Sequence, residues 1–285
     1  MTKIETRAAT TADLGAIAAV ATATGQVEEW SGSDPAYVTH LLAEGRVVVA
    51  ESGGSVTGFG AIRRIGDGPD AVTMLCDLFV DPQFHGLGIG QALLAGLWEP
   101  GTPRMTFSSL HAHAVPVYTR AGLDAWWPLL YLGGNVRVLP RPDGWTVTAS
   151  SPALVAALEA EWTGIDRAAD HRAWAARPGG EPVIAQRGAE ALAAGTVAGV
   201  DAEYGIAHLA LSPAAGDAEA VAAILAVLTS LNPPDGRARV YLPAPHPAIR
   251  PLLAAGWHVD FMDLFMATSP GLLDPRRAVP SSGLA

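Results

Sequence analysis

Val80 to Leu94 reads VDPQFHGLGIGQALL, and the reading of this stretch decides the fold. Before it, Ala71 to Val80 (AVTMLCDLFV) is an apolar, β-branched run that predicts a strand, stopped by Asp81 and Pro82. Beyond the loop, Ile89, Ala92, Leu93, Gly96 and Leu97 fall at the i, i+3, i+4, i+7, i+8 spacing of a helix with one apolar face. Gly86, Gly88 and Gly90 alternate between the two elements. A helix start carries backbone N–H groups without intrahelical acceptors and the positive end of the helix dipole, so glycines placed there predict a phosphate-bearing ligand. Spacing excludes two familiar phosphate loops. A dinucleotide fingerprint needs G-x-G-x-x-G, but Gln91 stands at the third position and the loop is far from the first strand of any βαβ unit. A Walker loop needs Lys and then Ser or Thr after the glycines, and neither follows.

Working outward, Ile4 to Ala8 predicts a first strand, Thr10 to Asp13 supplies capping residues, and Leu14 to Ala23 predicts a helix. Gln26 to Asp34 is a polar loop, and Pro35 to Glu44 a second helix. Strands follow over Arg46 to Glu51 and Ser55 to Arg63, with Gly53 and Gly54 as their turn. Past the glycine loop, Met105 to Leu110 predicts a strand, Ala112 to Ala121 a short helix ended by Gly122, and Leu123 to Leu132 an aromatic strand. The order is βααβββαβαβ.

LPRPDGW, at Leu139 to Trp145, marks a domain boundary and divides the chain into 1–138 and 139–285. Beyond it the pattern repeats: a hairpin of Val183 to Gln186 and Ala191 to Val200, a strand at Tyr204 to Leu211, a helix at Ala218 to Leu231 and a strand at Ala238 to Leu242. HPAIRPLLAAGWHVDFMDLFM, from His246, echoes HAVPVYTRAGLDAWWPLLYL, from His113, so a whole domain is duplicated.

Composition bounds the function. With 285 residues and 49% apolar content the chain can bury two ordinary cores. No apolar run reaches the roughly 20 residues of a membrane helix and the opening MTKIETRAATTADLG lacks a secretory pattern, so a cytoplasmic protein without membrane partners is expected. The lone Cys76 has no disulfide partner and no zinc-type neighbours, and a small buried apolar role suits it. A net charge of -10 without basic clusters argues against nucleic acid and mildly favours a cationic substrate.

The loop resembles the coenzyme A loop of the GNAT superfamily: Gln83, Gly86 and Gly88 meet its Q/R-x-x-G-x-G/A pattern, and VDPQFHGLGIGQALL resembles its V-x-P-x-x-R-G-x-G-I-G-x-A-L-L. The likeness covers about residues 3 to 132 well and the rest by architecture only. It implies two tandem GNAT-like domains of the α/β (α+β) class, each a twisted mixed sheet flanked by helices, with acetyl-CoA as cofactor and no metal. Cofactor contacts would come from the strand end at Phe79 and Val80 and from Gln83, His85, Gly86, Leu87, Gly88, Ile89, Gly90 and Gln91. His85 replaces a frequent Arg of the family, so one fixed positive charge is missing.

Ala114, Tyr118, Gly122 and Leu123 match a second GNAT pattern, A-x-x-x-Y-x-x-x-G-L, in which the Tyr lies near the thioester sulfur. Expulsion of a thiolate needs a proton, which the Tyr118 phenol would supply. Asp77, on the strand before the loop, is the candidate base. Glu28, Glu29 and Trp30 lie in the loop that borders the acceptor site in the family and would hold a cationic amine. His111 and His113 suit capping or surface roles.

The second half has SPAAGDAEA after its long strand and Leu252 where the first has Tyr118, so it is expected not to bind coenzyme A in the usual way but to complete the acceptor pocket or an interface. Asp166, Arg167, Asp170 and His171 form a polar cluster whose default place is a solvated helix face. The sequence thus points to transfer of an acetyl group from acetyl-CoA to a primary amine of a small molecule by direct attack. A protein-lysine acetyltransferase and a non-catalytic acyl-CoA sensor are the alternatives; the oligomeric state, monomer or dimer, is open, with the tandem arrangement able to stand in for a dimer partner.

Overall fold

The computed structural model describes residues 4–25, 35–66, 71–99, 101–200 and 203–284. The chain forms two compact units. Unit 1 holds the described residues through Ala125, with Met266–Leu272 and Leu284; unit 2 holds Trp126–Phe265 with Leu273–Gly283.

Unit 1 is built from strands β1 (Glu5–Ala8), β2 (Arg46–Ser52), β3 (Ser55–Ile65), β4 (Val72–Val80) and β5 (Arg104–Ser108) and helices α1 (Leu14–Ala23), α2 (Pro35–Glu44), α3 (Ile89–Leu97) and α4 (Ala114–Arg120). The strands lie in sequence order, antiparallel up to β4, and β4 with β5 is parallel. The expected capping is present before α1, where the Thr10 N–H donates to Asp13 Oδ2 at 2.8 Å. α3 comes close to the sheet because β3 offers it glycines: a Cβ on Gly58 would lie 3.0 Å from Ile89 Cγ2, and one on Gly60 2.7 Å from Leu97 Cδ1. Alternation puts Phe59 and Ala61 on the other face.

β4 carries two irregularities that position the site. Ala61 pairs with Asp77 and Ile62 with Leu75, so Cys76 is the extra residue of a β-bulge. It is only half-buried, not the fully buried small apolar residue expected. Second, β4 pairs with β5 only from Thr73↔Arg104 to Leu75↔Thr106. From Cys76 onward the two strands part, and among the described residues no strand covers that edge of β4.

Unit 2 contains β6 (Asp124–Asn135), β7 (Trp145–Ala149), β8 (Glu181–Arg187), β9 (Glu190–Val200), β10 (Glu203–Leu211), β11 (Arg237–Pro243) and β12 (His258–Ala267), with β6 and β12 running a residue or two into unit 1. The strand order is β12-β6-β11-β10-β9-β8-β7. Helix α7 (Asp217–Ser230) buries Ala223, Ile224, Val227 and Leu228 in the main core; α5 (Pro152–Thr163) packs Val155 on Ile184 and Ala194, next to α6 (Ala168–Ala175). α8 (Ile249–Ala254) completes the unit.

The duplication is visible in the irregularities as much as in the order. The bulge recurs at Ala207, since Ile206 pairs with Val197 and His208 with Thr196. Parallel pairing of β10 with β11 stops after Tyr204 and Gly205. α4 and α8 end alike: the Leu123 N–H donates to Tyr118 O and the Trp257 N–H to Leu252 O, both at 3.1 Å, with Gly122 and Gly256 at φ 86° and 88°.

The compact units divide at Ala125/Trp126, not at the proline-rich linker, because β6 pairs along most of its length with β11. In return, Met266–Leu272 joins unit 1, where the Thr268 N–H donates to Arg104 O at 2.9 Å. β7, α5 and α6 fill the stretch that the sequence left without assigned elements. In α5, PALVAALEAEWT, apolar residues fall on several sides and a glutamate is buried, so periodicity is mute. Among the described residues, no helix is long and apolar enough to cross a membrane.

Candidate active site

The site grows from the end of β4. Backbone groups of a strand point alternately to its two edges. The Asp81 N–H bonds Thr57 O on β3 at 2.9 Å, so Phe79 also faces β3, and Leu78 and Val80 present theirs to the open edge. Before the bulge the opposite parity holds, for Thr106 Oγ1 donates to Leu75 O at 2.9 Å. The bulge at Cys76 therefore re-aims the strand where β5 leaves it. Of the two positions read from sequence, Phe79 has its backbone paired and its ring stacked on Phe59 at 5.2 Å. The open-edge N–H groups are those of Leu78 and Val80, and Leu78 is a residue the sequence did not signal.

Asp81 caps the next turn by accepting the Gln83 N–H at 2.9 Å, and His85 Nε2 lies 2.9 Å from Val80 O. The carbonyl can only accept, so the His85 ring donates to it and ties the loop to the strand. The Val80 carbonyl is thus occupied, and its N–H is the group left toward the open edge. Gly86 and Gly88 adopt φ 79°, and a Cβ on Gly86, Gly88 or Gly90 would meet no atom within 4 Å. Leu87 is exposed. Gly88 caps α3, whose first turn, Ile89, Gly90 and Gln91, carries no acidic residue. Open space beside three glycines at an uncompensated helix start fits a diphosphate.

A groove of about 530 Å³ runs from there along α3. Gln91, Leu94 and Ala95 of α3, with Trp98 and Glu99 just beyond it, form one wall, and Val117 and Arg120 of α4 with the following Ala121 the other. Arg104 stacks its guanidinium 4.8 Å over the Trp98 ring, and its buried Nε has no hydrogen-bond partner. Neither arginine was a sequence candidate: Arg104 begins β5 and Arg120 ends α4, and only tertiary packing brings both to the groove along α3.

Tyr118 (7% exposed) lies on α4, and Asp77 (6%) on β4 on the Phe59 and Ala61 face of the sheet, where it pairs with Ala61. His113 stands at the start of α4, with its ring 5.8 Å from His85 and 5.4 Å from His111. His111 and His113 are exposed at the start of α4, in keeping with the capping or surface roles expected of them, and the His113 N–H approaches His111 Nδ1 at 3.4 Å. Glu28, Glu29 and Trp30 lie outside the described residues.

In unit 2, Arg167, Asp170 and His171 are buried and only Asp166 is exposed, which corrects the expected solvated face. Glu159 on α5 gathers them. His171 Nε2 donates to Glu159 Oε2 at 2.7 Å, His208 Nε2 to Oε1 at 2.8 Å, and Arg167 Nε lies 3.3 Å from Oε1. His171 Nδ1 meets Thr196 Oγ1 at 2.8 Å, and Trp174 stacks on His208. Burial pushes the Glu159 carboxyl up, but its cationic and imidazole neighbours outweigh that and hold it well below the usual carboxylate range. Burial keeps His208 below the usual histidine value against the pull of Glu159. Among the described residues, no group of three or more His, Cys, Asp or Glu is arranged to hold a metal.

A profile of the acetyltransferase (GNAT) domain matches residues 43–122, from the end of α2 to the close of α4. Among solved structures, a candidate acetyltransferase of Pyrococcus horikoshii superposes with a TM-score of 0.70 at 15% identity, covering 99% of this chain and 94% of that one. A GCN5-related N-acetyltransferase of Kribbella flavida gives 0.60 at 15%, over 93% and 71%. A tandem GNAT protein from the clavulanic acid biosynthesis pathway gives 0.55 at 14%, over 94% and 100%. No curated protein matches the sequence. Residues 43–122 thus match the GNAT acetyltransferase domain, and the chain as a whole shares its fold with these structures, a tandem GNAT protein among them.

Proposed function

We propose that the protein is an acyl-CoA-dependent N-acyltransferase that moves an acetyl group from acetyl-CoA to a primary amine of a small molecule by direct attack. The observation that carries this is the conjunction at the end of β4: a bulge at Cys76, an edge opened by the departure of β5, and a glycine loop leading into an α3 start free of acidic side chains. Backbone N–H groups from His85 to Gly90 hold the diphosphate, and Arg104 and Arg120 suit the nucleotide end in the α3/α4 groove. Coenzyme A supplies a thioester with a good leaving group.

The chain's own residues do the rest. Asp77 takes a proton from the acceptor ammonium, and the amine nitrogen bonds to the acyl carbon. The oxyanion is met by N–H groups of the open edge, at Leu78 and Val80. As the C–S bond breaks, Tyr118 protonates the thiolate, and its phenol is restored by the second proton that the newly acylated nitrogen gives up to become a neutral amide. The acidic chain favours a cationic acceptor through its field, and Glu28, Glu29 and Trp30 are the proposed acceptor contacts. A cytoplasmic setting follows from this cofactor and chemistry. The test is release of free thiol from acetyl-CoA across a panel of amino acids, polyamines and aminoglycosides, with an unstructured lysine peptide as a further acceptor. Thiol release with a small amine supports the reading, release with the peptide alone points to protein lysines, and cofactor binding without release under any acceptor leaves a sensor.

A further inference from the structure

In unit 2 the counterpart of the cofactor wedge is filled by the chain itself. Where β10 and β11 part, the Leu209 N–H donates to Val279 O at 3.1 Å, and the two residues form an antiparallel bridge. Val279 and Pro280 are buried there. The start of α7, counterpart of the start of α3, is reversed in charge, for Asp217 and Glu219 occupy its first turn. Arg276 pairs with Asp217. Arg277 crosses the loop before α7, donating to Ala215 O at 2.5 Å and to Ser212 O. The Arg276 N–H caps back on Asp274 Oδ1 at 2.9 Å, which fixes the turn presenting both guanidinium groups.

We propose that unit 2 carries a binding groove for an extended, arginine-bearing peptide, made from the former cofactor seat, and that residues 273–283 occupy it in cis. The chemistry is an inversion of that in unit 1. An anionic ligand on a bare helix start is replaced by a cationic segment on an acidic one, and the amide chain of the ligand by a peptide that bonds the opened edge of β10. The groove selects two adjacent arginines: one for a carboxylate, one for the loop carbonyls of Ala215 and of Ser212, the latter also taking the Ala215 N–H at 3.0 Å. An acyl-CoA would meet Asp217 and Glu219 with its diphosphate and Val279 with its arm, so the protein holds acyl-CoA in unit 1 alone.

The experiment has two arms that do not depend on acetyl-CoA chemistry. In the full chain, hydrogen exchange at the Leu209 amide is compared with that of Arg276→Ala/Arg277→Ala, with exchange expected to rise about tenfold or more while β3 and β4 stay unchanged. In a chain ending at Leu272, a fluorescent LDPRRAVPSSG peptide is added in trans. Saturable binding weakened by salt, and lost when both arginines of the peptide are glutamate, is expected. Unchanged Leu209 exchange in the double variant overturns the proposal. So does equal binding of the glutamate peptide. If the shortened chain does not fold, the exchange arm alone decides. Acetyl-CoA binding in unit 1 is recorded alongside, so that its absence sinks the transferase reading and leaves the groove standing.

Discussion

The two units are the same topology put to opposite electrostatic use. After the bulge, unit 1 places Asp77 and unit 2 places His208; on the following short helix the pair is Tyr118 and Leu252. At the anion-attracting helix start the pair is Gly88 with an uncharged first turn and Gly216 with Asp217 and Glu219. The wedge of unit 2 holds residues 273–283, and the space over His208 is taken by Glu159, His171, Arg167 and Trp174. The backbone irregularities are thus shared by the two units while the charge at the helix start is not, so likeness of fold alone does not carry a function from one unit to the other.

Breaking the comparison at Tyr118, the proposed general acid, should give the largest effect. Tyr118→Phe lowers turnover by roughly one to three orders of magnitude with acetyl-CoA affinity nearly unchanged, read as thiol release against calorimetric binding. The matching change in unit 2, Leu252→Phe, alters stability only, since Leu252 is buried core.

The buried network sharpens the contrast from the other side. Glu159→Ala leaves Arg167 and two imidazoles buried without their shared acceptor, and about 3 kcal/mol of the stability of unit 2 is lost, measured by denaturant unfolding. Acetyl-CoA binding under native conditions is retained.

Acid should loosen unit 2 first. Burial holds the His246 imidazole down to about 4, while the unfolded chain takes up that proton near 6.5. The folded form thus binds fewer protons in this window, and stability falls as pH drops from about 6.5 to 4, by at most about 3 kcal/mol. Depression of Glu159 extends the loss below the carboxylate range. His246→Asn keeps an acceptor for the Ala248 N–H, seen at 3.1 Å, and flattens the pH slope in thermal melts. The smallest expected effect is at the exposed Arg120, whose change to alanine weakens acetyl-CoA binding only about threefold.

Much of unit 1 is legible in sequence because its signals are local. The order βααβββαβαβ, the glycine loop and the Tyr118 helix follow from periodicity and spacing, and the structure reproduces that order. What escapes is whatever depends on pairing. The bulge at Cys76 has no signature in AVTMLCDLFV; it exists because β3 supplies one residue against two. That Leu78, not Phe79, faces the open edge follows only from that register. The same holds for β6, which precedes the linker yet pairs with β11. Glu159 reads as one more polar residue of α5, and nothing local reveals that histidines 12 and 49 positions later close on it. DPRRAVPSS reads as a loop, and its meaning lies in the edge it covers.

The most direct test of the account is calorimetry of acetyl-CoA on the intact protein beside Gly88→Glu and Gly216→Glu. Gly88 combines φ 79° with the anion seat, whereas Gly216, at φ -78°, accepts a side chain without backbone strain. One acetyl-CoA per chain, abolished by Gly88→Glu and untouched by Gly216→Glu, is predicted. Two per chain, or binding that survives Gly88→Glu, would contradict it.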